Sequence, residues 1–136
     1  MSQSSTFHHS VSILIPNYNG GPYLTRTLQS CLEQQIYVKE IIVVDDHSTD
    51  DSWKILNEWQ NRFPETIKIF RNIGKGGNVG RNYAFSQSSG TFVQWLDSDD
   101  QILPNKFAKQ LNVFATQSEV DIVYSDWQMD FWDGDQ

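Results

Sequence analysis

Glu40-Ile41-Ile42-Val43-Val44 is an almost unbroken apolar run that ends on Asp45-Asp46-His47-Ser48-Thr49-Asp50. A strand apolar on both faces belongs inside a parallel sheet covered by helices. Upstream, Val11-Ser12-Ile13-Leu14-Ile15 is a β-branched run that stops at Pro16, as suits a strand end. Between these runs, Leu24, Leu28, Cys31 and Leu32 recur at helical spacing. Downstream, Ile55, Leu56, Trp59 and Phe63 mark a second helix ended by Pro64, and Ile67 to Phe70 reads as a third strand. A Gly-rich turn then leads into a helix near Val79 to Gln87, and Thr91 to Leu96 is a fourth strand. Phe107, Leu111 and Phe114 form another helical stripe after Pro104, and Val120 to Tyr124 reads as a fifth strand. Strand and helix alternating at this interval predict an α/β fold: an open, mostly parallel sheet with helices on both faces. No internal repeat, low-complexity tract or linker interrupts the pattern. One domain is expected over residues 11–136, behind a loose polar tail at residues 1–10.

The totals bound the function. At 136 residues there is room for one hydrophobic core, and 18 aromatic side chains can fill it. No apolar run approaches the roughly 18 residues of a membrane span, and the polar opening Met1 to Ser10 lacks the basic start and apolar centre of a signal peptide. The single Cys31 excludes an internal disulfide and fits a reducing compartment, so the cytoplasm, free or at the membrane surface, is the expected location. The formal charge of -7 and pI of about 4.7 have the wrong sign for gripping a nucleic-acid backbone. An acidic domain can still hold a phosphate ligand, provided a bound cation offsets its carboxylates.

Consecutive parallel strands joined by right-handed crossovers place all strand C-termini on one edge, and ligands bind outside that edge where strand order reverses. Four polar segments are expected there: Pro16-Asn17-Tyr18-Asn19-Gly20-Gly21, Asp45 to Asp50, Asn72 to Asn78, and Asp97-Ser98-Asp99-Asp100. Asp97 and Asp99 stand two apart, so in an extended segment both carboxylates face one ion. Their oxygens suit Mg²⁺ or Mn²⁺, whose open positions phosphate oxygens fill. Taken alone, Asp-Ser-Asp-Asp is also good turn and capping chemistry; its place behind a buried strand favours the ion. Asp46, and less directly Asp45, is placed to accept from a ribose hydroxyl or a base N–H. Ser48-x-x-Asp51 reads as a capping box for the second helix, which assigns Ser48, Thr49, Asp50 and Asp51 to capping. Tyr18 is either a stacking platform for a base or a surface turn tyrosine. Arg81 either donates to a base carbonyl or phosphate, or faces solvent from its helix. Gly74-Lys75-Gly76-Gly77 lacks the Ser or Thr that a P-loop needs after its Lys, and the dinucleotide fingerprint would require glycines after the first strand.

Together, Val11-Ser-Ile-Leu-Ile-Pro-Asn-Tyr-Asn, Ile41-Ile-Val-Val-Asp-Asp-His-Ser-Thr-Asp, Gly76-Gly-Asn-Val-Gly-Arg-Asn and Trp95-Leu-Asp-Ser-Asp-Asp resemble, in order, the motifs of family 2 glycosyltransferases of the A-type fold. The resemblance runs from Val11 to about Asp126 and implies the N-terminal, nucleotide-binding part of that Rossmann-like fold, truncated after the fifth strand. It implies that Pro16 and Tyr18 line the nucleotide pocket, with Tyr18 against the base. Asp46 would contact the base edge, with Arg81 approaching from the third helix. Asp97, with Ser98 beside it, would meet the ribose or the metal, and Asp99 would ligate the metal bridging the diphosphate. Asp100 matches the family's frequent third acid. His47 stands where the family often has a small residue and reads as a solvated loop histidine.

The activity so implied is transfer of a sugar, with inversion, from a nucleotide-diphosphate sugar to a hydroxyl on a glycan, a lipid or another acceptor. The family's acceptor site and general base lie further along than Gln136, and none of Asp126, Asp130, Asp133 and Asp135 matches the base motif. The alternative expectation is therefore nucleotide binding without transfer. A phospho-receiver domain would carry its acidic pair after the first strand, where this chain has Pro16-Asn17-Tyr18. Five Trp and an open edge at the last strand would favour self-association.

Overall fold

The computed structural model describes residues 7–117 and 119–123. Among these residues, four strands alternate with four α-helices: β1 (Val11–Asn17), α1 (Gly21–Leu32), β2 (Val38–Asp45), α2 (Ser52–Arg62), β3 (Ile67–Arg71), α3 (Gly77–Gln87), β4 (Phe92–Trp95) and α4 (Lys106–Thr116). All strand pairs are parallel, and the sheet order is β3-β2-β1-β4. This is the expected α/β architecture, an open parallel sheet with helices on both faces.

The strand period of two divides the core. Ile13, Ile15, Ile41 and Val43 join Leu24, Leu28, Cys31, Leu56, Phe107 and Leu111, so α1, α2 and α4 cover one face. Leu14, Ile42 and Val44 point the other way, onto Ala84 and Tyr83 of α3. β2 is buried along nearly its whole length, as its unbroken apolar run requires.

β1 does not stop before Pro16. It runs on to Asn17, and Pro16 pairs in register with Val44. Ser10 and Leu14 accept from Phe92 and Leu96 of the β4 segment, so the even-numbered groups of β1 face β4. That pairing ends at Leu14 and Trp95, so the N–H that Pro16 lacks falls beyond the β4 ladder. The expected tail is also shorter than residues 1–10. Phe7 packs edge-on against Phe92 at 5.0 Å, and the amides of His9 and Ser10 donate to Ile36 and Tyr37. Residues 1–6 lie outside the described residues.

No fifth strand forms over residues 120–123, and Tyr124 lies outside the described residues. Among the described residues, the four-residue β4 forms the edge on that side. Within residues 120–123, Ile122 stays 80% exposed, so its apolar side chain is not buried against the sheet.

Candidate functional site

Strand order reverses between β1 and β4, because the chain runs β1-β2-β3 in one direction and then crosses to the far side of β1. The crevice between the C-terminal ends of these two strands is where ligands of open α/β sheets bind. The loops after β1 and β4 flank it, and those after β2 and β3 continue the same rim.

The loop after β4 is a tight turn rather than an extended segment: Asp100 N–H donates to the Asp97 carbonyl at 3.0 Å. The two-apart argument therefore does not describe its geometry, but the turn gathers the acids all the same. Asp97, Asp99 and Asp100 are exposed, and each offers a carboxylate oxygen within 4.8 Å of the others. Burial, and then the charges of Asp99 and Asp97, push the Asp100 carboxyl above its ordinary range. A cation would relieve that repulsion, and an all-oxygen donor set fits Mg²⁺ or Mn²⁺.

Contacts between loops make the rim continuous. Gly20 brings the β1 loop against the β4 loop so closely that a Cβ there would run into Asn17 Oδ1 and stand 2.5 Å from Ser98 Oγ. Asn19, in the left-handed region at φ 52°, joins the β1 and β2 loops. Its Oδ1 accepts from Thr49 N at 2.8 Å and Asp50 N at 3.2 Å, and its N–H donates to Ser48 Oγ at 2.9 Å. The β2 and β3 loops meet through Asp46 and His47. Asp46 accepts from Asn72 Nδ2 at 3.0 Å and from Gly76 N at 3.1 Å, and His47 Nε2 lies 2.8 Å from the Gly74 carbonyl. Gly76 has φ 96°, a conformation that glycine adopts without strain.

The adjacent acids at the end of β2 divide by face. Asp45 follows Ile41 and Val43 toward α1 and α2 and is fully buried. Its oxygens are occupied by Asn17 Nδ2 at 2.8 Å, Ser48 Oγ at 2.6 Å and Ser48 N at 3.1 Å, so it braces the loops instead of facing the rim. Asp46 falls on the α3 face and is partly exposed. The Asn72 hydrogen bond holds its carboxyl below the ordinary range, with the Gly76 amide adding to the effect against burial. A carboxylate has about four acceptor sites, so capacity remains for a ligand.

The capping box expected from Ser48 and Asp51 does not form. Ser48 is drawn to Asp45, Asp51 makes no side-chain cap, and Asp50 takes the capping role by accepting from Ser52 N at 2.9 Å and Gly21 N at 3.0 Å. Tyr18 is 62% exposed just beyond β1, and Pro16, within β1, is partly buried. Arg81 is exposed on the first turns of α3, where Nη1 donates to Asn78 Oδ1 at 3.3 Å and packs over Gly77.

Three buried polar residues escaped the sequence reading. Thr27, Ser30 and Gln34 line the same flank of α1 and its extension as Leu24, Leu28 and Cys31. Thr27 Oγ1 lies 2.8 Å from the Ser98 carbonyl and 2.7 Å from that of Asp100. Ser30 Oγ accepts from Ile102 N at 3.0 Å, and Gln34 donates to the Leu103 carbonyl and accepts from Phe107 N. The signal was present in the sequence: polar residues at helical spacing inside a core-facing stripe need buried partners.

Residues 12–136 match Glycosyl transferase family 2. The chain belongs to this family. An uncharacterized glycosyltransferase of Nostoc sp. is 37% identical over 126 residues, which are 91% of this chain and 38% of the relative. The Escherichia coli UDP-Glc:alpha-D-GlcNAc-diphosphoundecaprenol beta-1,3-glucosyltransferase WfaP is 35% identical over 88% of this chain and 47% of its own length. Among solved structures, residues 1–349 of Staphylococcus aureus TarS in complex with UDP-GlcNAc superpose with a TM-score of 0.71 at 30% identity, covering 80% of this chain and 32% of that one. The family 2 glycosyltransferase chain thus spans less than half the length of these relatives. Among its described residues, no helix is long and apolar enough to cross a membrane.

Proposed function

We propose that this chain is the donor-binding part of an inverting, metal-dependent glycosyltransferase, seating a nucleotide-diphosphate sugar in the β1/β4 crevice. The observation that carries this reading is the acidic turn at the topological switch point, packed through Gly20 and Ser98 against the loop bearing Tyr18. Tyr18 supplies a face for the base, and Pro16 lines the pocket. Asp46 accepts from the base edge, while Asn72 and Gly76 keep its carboxylate aimed and ionised. Arg81 reaches the nucleotide from α3 by leaving its weak bond to Asn78. Asp45 contributes by holding Asn17 and Ser48 in place. Asp97, with Ser98 beside it, meets the ribose or the metal, and Asp99 ligates the metal, with Asp100 completing the cluster. A divalent cation held there supplies Lewis-acid stabilisation of the leaving diphosphate.

The support from the relatives is specific in kind: WfaP is named for a UDP-linked donor and a lipid-linked acceptor, and TarS residues 1–349 were crystallised in complex with UDP-GlcNAc. Attack by an acceptor hydroxyl on a glycan or lipid, from the side opposite the diphosphate, would invert the sugar carbon. Calorimetric titration of the chain with UDP and with GDP, each with Mn²⁺ or with EDTA, tests the binding step. One of the two should bind at least about tenfold more tightly with Mn²⁺, as expected of a metal-bridged diphosphate, and Asp99→Ala should remove that gain. Equal affinity with Mn²⁺, with EDTA and in Asp99→Ala would end the metal role. The chain covers 38% of the Nostoc relative and 47% of WfaP, so donor binding without transfer is kept as a second reading for this stretch of sequence. Release of labelled nucleotide with the sugar joined to an acceptor would exclude it.

A further inference from the structure

We propose that Thr27 is a positioning residue of the metal site: one buried hydroxyl on α1 fixes the acidic turn and thereby sets its affinity for the cation. The inference rests on the reading of Asp97, Asp99 and Asp100 as cation ligands. Thr27 is 1% exposed, so water cannot replace its hydroxyl. Its Oγ1 carries a single proton, yet it lies within 2.8 Å of two carbonyls, those of Ser98 and Asp100, which flank Asp99. Both carbonyls are thereby turned toward α1, and the turn is closed from its other side by the Asp100 to Asp97 backbone bond. With the flanking peptide planes held, the Asp99 carboxylate is confined to the exposed side of the turn, beside those of Asp97 and Asp100.

Three mutually repelling carboxylates would spread apart if the backbone beneath them were free, and a cation would then have to gather them again. Thr27 is suited to preventing this because it anchors the turn to a helix instead of to another loop. The anchor is also separate from what attaches the following segment. Ser30 and Gln34 hold Ile102, Leu103 and Phe107 to α1 independently. Loss of the Thr27 hydroxyl should therefore loosen the turn without detaching the chain that follows. β-Branched Thr is a poor choice for the middle of a helix on propensity alone, which is consistent with a role for its oxygen.

The test compares Thr27→Val, which keeps the shape and removes the donor, with Thr27→Ser, which keeps the donor. Mn²⁺ alone is titrated into each full chain and followed by the paramagnetic signal of free Mn²⁺. Thr27→Val should bind Mn²⁺ about tenfold more weakly, the range found when partners of metal ligands are removed, while Thr27→Ser stays within about twofold of wild type. Hydrogen exchange at residues 97–103 should quicken in Thr27→Val and not in Thr27→Ser. If Thr27→Val fails to fold, Thr27→Ala provides the variant, with a similar loss expected because it too lacks the donor to Ser98 and Asp100. Wild-type Mn²⁺ affinity in Thr27→Val, or in a folded Thr27→Ala when that is the variant used, would overturn the proposal. Should wild type itself bind no Mn²⁺, the metal reading falls on its own, and unchanged exchange at residues 97–103 in the variant would separately overturn the anchoring role.

Discussion

Glu40→Gln is expected to destabilise the domain by about 3 kcal/mol at neutral pH, and most of that difference should vanish in acid. Glu40 sits near the start of β2 with a fully buried side chain, at the opposite end of the sheet from the rim. Burial raises its carboxyl pKa, but Ser12 Oγ, Lys68 Nζ and both the amide and hydroxyl of Ser89 donate to it and bring it down from 4.5 to about 2. A pKa lower in the folded than in the unfolded chain contributes stability that is fully present above the unfolded value and is lost as pH falls through the folded one. A fall from 4.5 to about 2 corresponds to about 3 kcal/mol, of which about 2 is gone at about pH 3. Gln has the same shape, but its NH₂ would face one of four converging donors. Urea unfolding followed by Trp fluorescence, at about pH 6 and about pH 3, measures both proteins. The gap between them should close by about 2 kcal/mol over that range. A gap that stays constant would show that the charge of Glu40 is not what ties Ser12, Lys68 and Ser89 together.

Gly20→Ala should leave the sheet intact, cost about 1–3 kcal/mol, and weaken binding of UDP or GDP with Mn²⁺, because the added methyl must displace Asn17 or Ser98; unchanged affinity by calorimetry would show that the two loops adjust independently. Cys31 is buried and its thiol is pushed up to about 12 by burial, partly offset by Ser30. At about pH 8 its thiolate fraction should be about a thousandfold below that of a thiol at the ordinary value of 9.0, so a disulfide reagent should label it only as the domain unfolds. Rapid labelling under native conditions would contradict the packing of α1.

The alternation of elements was legible because it depends on local repetition. The run Ile41 to Val44 can be buried only between two helical layers: the stripe Leu24-Leu28-Cys31 covers Ile41 and Val43, and Ala84 in the helix near Val79 to Gln87 covers Ile42 and Val44. The residues behind each strand were equally legible, since parallel strands must end on one edge. The expected fifth strand was not, because Val120 to Val123 has an apolar pattern but lacks a long neighbour to pair with. Pro16 was misplaced for a related reason: whether a missing N–H matters depends on which strand lies beside it, and β4 ends two residues short of it.

By itself, then, the sequence determined the α/β class, the sites of the strands' polar ends and the acidic turn that marks the family. Tertiary structure decided which of those ends meet. Only the order β3-β2-β1-β4 places Gly20 against Ser98, sends Asp45 inward and Asp46 toward Gly76, and sets Thr27 beneath an acid 73 residues away. Periodicity reports a residue's own face and element, whereas partners across a sheet are chosen by packing between segments that no local pattern connects.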